Sequence, residues 1–225
     1  MNRSSPLRSV WFKPSQTIAY IAHENPGYRL FALPIIAGFA VWPTMALFTA
    51  DTDQIEVGLI LSTLLAFGPI AELFQVFVGA YLIRITGIWL GGKAGISSIQ
   101  TAIVWGNVPI AVLSILGIVL LIFAFAYNEF SEMPLTWDQS PLVTAIAWLL
   151  FTFQTVIVGW SIAIFLRGLA KVQGYSISRA TLNAVLAWLV PAVIIVLVAI
   201  ALGYGGSLPW LFLAGFEDLV LLNGS

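Results

Sequence analysis

"VGLILSTLLAFGPIAELFQVFVGAYLIRITGIWL", Val57 to Leu90, is an apolar run interrupted by only two charges, Glu72 and Arg84. As one α-helix it would reach about 50 Å at 1.5 Å per residue, more than a hydrocarbon core of roughly 30 Å requires. It is either two spans or one long kinked helix, and the threading of the whole chain depends on which. The basic residues decide. Arg3, Arg8, Lys13 and Arg29 precede the first apolar run, Arg84 and Lys93 close the second, and Arg167, Lys171 and Arg179 lie between the fourth and fifth. The other two loops hold only acids: Asp51, Asp53 and Glu56 in one, Glu129, Glu132 and Asp138 in the other. One span in Val57–Leu90 places all nine Lys and Arg on the cytoplasmic side, as the positive-inside rule asks. Two spans would put Arg167, Lys171 and Arg179 outside. The reading is therefore one helix, kinked near Pro69, whose ring removes a backbone hydrogen bond.

The rest of the composition agrees. The chain has 225 residues, 60% of them hydrophobic and 8% charged, where soluble domains carry about 25% charged residues. The expected fold is an all-α integral membrane protein, one membrane domain over 1–225. Five transmembrane helices are expected at about 30–50, 57–90, 101–127, 141–166 and 183–203. The N-terminus is then cytoplasmic and the C-terminus outside. Within the 1–29 tail, "VWFKPSQTIAYIAHENPG", Val10 to Gly27, reads as an interfacial helix. Pro14 suits its first turn, Asn25-Pro26-Gly27 ends it, and Trp11 and Phe12 belong at headgroup depth. No cleavable signal is read before Leu30. Residues 204–225 are expected along the outer surface, with Asn223-Gly224-Ser225 a chance glycosylation match. A net charge of -1 argues against a nucleic-acid partner. The absence of cysteine excludes disulfides, thiol catalysis and thiolate metal sites.

"GISSIQTAI" at Gly95 and "GYSISRATL" at Gly174 both lead into apolar runs that carry a proline, Pro109 and Pro191. The second has three more residues before its proline. The pattern suggests a tandem helical-hairpin repeat, spans two-three and four-five in one orientation, as some transporters have. "VWFKPSQTI" at Val10, "LGGKAGISSIQTAIVWGNVP" at Leu90 and "GYSISRATLNAVLAWLVP" at Gly174, in this order and spacing, resemble the YIP-one family. These are the Ypt/Rab-interacting membrane proteins and their prokaryotic relatives, and the likeness covers roughly Trp11 to Leu202. The resemblance implies five membrane helices, a cytoplasmic N-terminus and a C-terminus on the far side. Eukaryotic members are implicated in vesicle traffic between endoplasmic reticulum and Golgi and bind small GTPases. This chain has no long acidic N-terminal region and no Asp-Leu-Tyr-Gly-Pro tract. It is more similar to the prokaryotic branch, and small GTPase binding is not expected. The compartment implied is the cytoplasmic (inner) membrane of a prokaryote.

Glu72 is the carboxylate that asks for a role. Gly68, Glu72, Gln75 and Gly79 fall at helical spacing on one face, and Thr86 continues it a heptad on. Gly87 and Gly91 form a small-xxx-small pair suited to close helix packing. Gln75, Asn107, Gln154 and Thr155 are the polar groups that could meet Glu72. Arg84, twelve residues on and about 18 Å away along the axis, could not. Such a glutamate serves either as a proton, cation or headgroup site, or as a hydrogen-bonded clasp between helices. Asn107 and Gln154 read as interhelical hydrogen-bonding groups, and Pro69, Pro109 and Pro191 as kinks. Lys93, Arg167, Lys171 and Arg179 could hold anionic lipid or merely fix topology. "GGKAG" at Gly91 lacks P-loop spacing and reads as a tight turn. His23, the one histidine, has no ligand-spaced partner. No zinc pair, Ser/His/Asp set, serine with neighbouring lysine or paired intramembrane aspartates is found, so neither catalysis, cofactor nor metal is expected. The function expected is non-catalytic organisation of membrane lipids or partner proteins, itself included. The alternative is a small-solute, ion or lipid transporter or channel built on Glu72.

Overall fold

The computed structural model describes residues 5–39, 57–113, 115, 119 and 141–201. Among them every regular element is helical. The order is α1 (Pro6–Phe12), α2 (Pro14–Glu24), α3 (described over 32–39), α4 (Val57–Trp89), α5 (Ile96–Gly106), α6 (described over 108–113), α7 (Pro141–Gln173) and α8 (Ile177–Ala201). The acidic loops 51–56 and 128–140, the outer parts of the first and third expected spans, and 202–225 lie outside the described residues.

Val57–Trp89 is one helix of 33 residues with Pro69 inside it, so the long run is not two spans. Among the described residues three stretches are long and apolar enough to cross a membrane: Leu65–Trp89, Thr152–Gln173 and Ile177–Ile200. Helices α7 and α8 pass the boundaries expected from hydropathy. The first runs on from Leu166 to Gln173, and the second starts at Ile177 rather than Asn183. Charged side chains such as Arg167 and Arg179 can reach water while the backbone remains helical, so charge marks the membrane boundary and not the helix end. Between α5 and α6, Asn107 caps the first helix. Pro109 has no N–H to return to Trp105, and helical bonding resumes with Ala111 N–H donating to the Asn107 carbonyl at 2.9 Å.

The buried apolar cluster lies where the N-terminal helices meet α5 and α7. Val10, Ile18, Ile21, Ile99, Trp105 and Leu169 are all sealed from solvent there. Pro14 opens α2 with a preset φ, and Asn25 closes it, its N–H donating to the Ile21 carbonyl. The helix does not merely rest beside the bundle. Ile18, fully buried, fills a hollow left by Gly168 on α7, where an added Cβ would overlap the isoleucine Cδ1. Next along the chain, Tyr28 stacks on Trp105 with ring centroids 5.8 Å apart. Trp105 Nε1 donates to the Tyr28 carbonyl at 3.3 Å, and Thr101 Oγ1 donates to the Pro26 carbonyl at 3.0 Å. Phe12, 88% exposed, is left outside this contact. At the opposite end α8 is bare, with residues 192–198 all exposed. A helix apolar on every side is at home in lipid.

Gly168→Ala tests the docking. In an exposed helix the change would gain about 1 kcal/mol of propensity. Here a net loss of up to about 2 kcal/mol is expected from overlap with Ile18. Ile18→Val, which removes Cδ1, should make Gly168→Ala cheaper. Strict additivity in thermal unfolding of the purified protein would contradict the contact.

Candidate functional site

Glu72 lies on the inner face of α4 and is 6% exposed. Gly68, Gly79 and Thr86 are buried on the same helix, and Val76 and Ile83 fill the intervals. One turn before Glu72, α3 crosses α4 closely. A Cβ on Gly38 would lie 2.5 Å from the Gly68 carbonyl oxygen and from Pro69, so backbone meets backbone there. Among the described residues no hydrogen bond reaches the Glu72 carboxylate, and Asn107 and Gln154, both half-buried, are not joined to it. Gln75 parts company with Glu72. It lines an open cleft of about 450 Å³ between α4 and α8, walled by Phe67, Phe74 and Trp188, and Glu72 does not line that cleft. No group of three His, Cys, Asp or Glu residues able to hold a metal occurs among the described residues.

The more elaborate polar arrangement lies at the cytoplasm-facing ends expected from charge, and sequence reasoning missed it. Gln173, the last residue of α7, is 2% exposed. Its backbone carbonyl accepts the Lys93 N–H at 3.3 Å and its side-chain Oε1 accepts the Ala94 N–H at 3.1 Å. Its Nε2 is buried with no hydrogen-bond partner among the described residues. Gly87 and Gly92 flank this amide, and a Cβ on either would collide with it. Beside it, Thr86 Oγ1 donates to Asn183 Oδ1 at 2.5 Å, and Asn183 Nδ2 donates to the Tyr175 hydroxyl at 2.5 Å. Asn183 is fully buried. The available signal was polar residues next to glycines at the basic ends of apolar helices.

From Gly91 to Ala94 the turn is closed to phosphate. Gly91 N–H donates to the Ile88 carbonyl, Gly92 N–H to the Gly87 carbonyl, and the Lys93 and Ala94 donors go to Gln173. The Arg84 guanidinium donates to the Ala94 carbonyl. A phosphate cradle needs free N–H groups, and these are consumed. Gly91 has open space around its Cβ position, so it is not a packing glycine. Its φ of 82° is the left-handed conformation that ends α4, and Gly174, φ 76°, ends α7 the same way. The side chains of Lys93, Arg167, Lys171 and Arg179 are exposed.

With this geometry in hand, comparison with known families gives one answer: the Yip1 domain matches residues 8–214. The chain belongs to the Yip1 domain family. The match spans both hairpin turns, the N-terminal helices docked on Gly168 and the whole of α4 to α8. The protein is a membrane protein of that family. Neither the curated proteins nor the solved structures offer a match.

The Thr86–Asn183–Tyr175 chain predicts two outcomes. Asn183→Leu removes both hydrogen bonds and adds apolar bulk at a fully buried position, and should cost about 1–3 kcal/mol in unfolding experiments. Burial raises the Tyr175 phenol pKa above its ordinary 10.0, and the Asn183 hydrogen bond lowers it in part. Folding therefore favours the neutral phenol. That stability is fully present below pH 10.0 and is lost as pH rises through the higher folded-state pKa. Tyr175→Phe should remove this alkaline component, and an unchanged stability profile above pH 10.0 would contradict it.

Proposed function

We propose that this Yip1-domain protein is a non-catalytic organiser of membrane lipids or partner proteins. In this reading it sits in the cytoplasmic membrane of a prokaryote, with five spans, N-terminus inside and C-terminus outside. The observation that carries the proposal is the disposition of polar groups at the end bearing Arg84, Lys93, Arg167, Lys171 and Arg179. Backbone donors of the first turn are used within the fold, while four cationic side chains project outward. Such a surface has no pocket chemistry to offer but attracts anionic headgroups, at roughly 1 kcal/mol per basic residue.

The tandem-hairpin reading is supported by matched ends: α4 and α7 both stop at a left-handed glycine, Gly91 and Gly174. Pro109 falls thirteen residues after Ile96 and Pro191 fourteen after Ile177 (109 − 96 and 191 − 177), so the three-residue difference in the sequence lies mostly in the turns. A transporter using Glu72 would need that carboxylate on a polar passage. The cleft beside it is apolar, apart from Gln75, and excludes it.

The test is lipid retention. Lys93, Arg167, Lys171 and Arg179, each changed to Gln, should lose anionic lipid about fivefold per substitution in native mass spectrometry of the purified protein. Retention unchanged in the quadruple variant would overturn the lipid reading. In proteoliposomes Glu72→Gln should leave proton and cation leak at the wild-type level. A flux present in wild type and absent in Glu72→Gln would establish the transporter instead.

A further inference from the structure

We propose that Arg29 holds the phosphate of an anionic membrane lipid at the hydrocarbon edge nearer the two hairpin turns. The inference rests on membrane residence and on a residue outside the four cations of the lipid reading above. Arg29 is the one non-glycine residue with a positive φ among the described residues, at 60°. A side chain is strained there, and glycine takes this conformation freely. The chain has a glycine two positions earlier and does not use it so. Gly27 has no positive φ, and a Cβ on it would touch only Asn25 Oδ1, at 3.8 Å. The turn between α2 and α3 therefore carries an arginine where its backbone calls for glycine. Strain of this kind collects at ligand clamps.

What the strain secures is a fixed cation. The Arg29 guanidinium lies 5.4 Å from the centre of the Tyr28 ring, and that ring stacks on buried Trp105. The peptide chain below is held as well, by Trp105 Nε1 on the Tyr28 carbonyl and Thr101 Oγ1 on the Pro26 carbonyl. Arg29 remains exposed, and among the described residues no carboxylate pairs with it. A planar, permanently charged guanidinium takes a phosphate through two parallel hydrogen bonds. Depth selects a lipid over free phosphate. Two residues on, Phe31 meets Phe77 of α4 with ring centroids 5.9 Å apart, and both rings are exposed. Phe77 is the twenty-first residue of α4 (77 − 57 + 1). At 1.5 Å per residue that is about 31 Å from the helix start, one hydrocarbon thickness. Asp51, Asp53 and Glu56 precede that start. With those acids in water at one edge, Phe77 stands at the other and Arg29 at headgroup level beside it. An acyl chain then lies over Phe31 and Phe77 while its phosphate meets Arg29.

The probe is phosphatidylglycerol with a diazirine in its acyl chain. Photolysed with the purified protein, it should label Phe31 or Phe77. Arg29→Gly removes guanidinium and strain together, so it should unfold at no lower temperature and take up about tenfold less label. Arg29→Gln, which leaves the strained turn in place, should lose as much, and Arg29→Lys should fall between. Three results would overturn the proposal. One is unchanged label in both Arg29→Gly and Arg29→Gln. Another is Arg29→Gln labelled like wild type while Arg29→Gly is not, which makes the turn and not the guanidinium the cause. The third is inorganic phosphate displacing the probe and binding in its place, which makes this a site for free phosphate. Arg29-dependent label that survives the change of Lys93, Arg167, Lys171 and Arg179 to Gln supports this inference even where the earlier reading fails. Lipid lost in that quadruple variant and kept in the Arg29 variants overturns this inference alone.

Discussion

The two hydrogen bonds that Gln173 receives from the opposite turn are the joint on which the described fold depends. They tie the end of α7 to the turn after α4 through one residue, by main chain and side chain together. A fixed neighbour on that side demands two glycines, Gly87 and Gly92, and brings Thr86 to Asn183 across the start of α8. With α4, α7 and α8 fastened at one end, α5 has a defined slot between α4 and α7. The N-terminal helices then close that slot through Ile18, Tyr28 and Trp105. Helices in lipid gain little from apolar contact alone, so close packing and hydrogen bonds of this kind carry the specificity.

The joint also explains why the two ends of the molecule differ. At the basic end buried polar groups are paired, or flanked by glycine, and helices touch. Towards the other end α8 is exposed on all sides and the α4–α8 cleft opens. Glu72 sits between these regimes, on the packed side of α4 and one turn from the backbone crossing at Gly38.

Much of this was written in the sequence, and the remainder was hidden for identifiable reasons. The single long helix followed from where Lys and Arg occur, because charge distribution is a global property that one chain displays in full. The limits of α2 followed from Pro14 and Asn25, since caps are local. Gln173 and Asn183 were not legible, because their importance comes from residues about eighty and a hundred positions away. The Glu72–Gln75 stripe divides between two faces of α4. Residues three apart on a helix differ by about 60° in direction, enough for one to face the bundle and its neighbour the cleft. Gly91 looked like a packing glycine by spacing, and only its φ of 82° reveals it as a helix stop.

The central claim is that both hairpin turns and the N-terminal helices share one side of the membrane, which is what lets Gln173 join them. Single cysteines at Gln16, Lys93, Ser178 and Asp53 in this cysteine-free chain test it with a membrane-impermeant maleimide. The account predicts that positions 16, 93 and 178 label only in inverted vesicles, and that position 53 labels in intact cells. Labelling of position 178 from outside while position 93 labels from inside would separate the two turns and contradict the account.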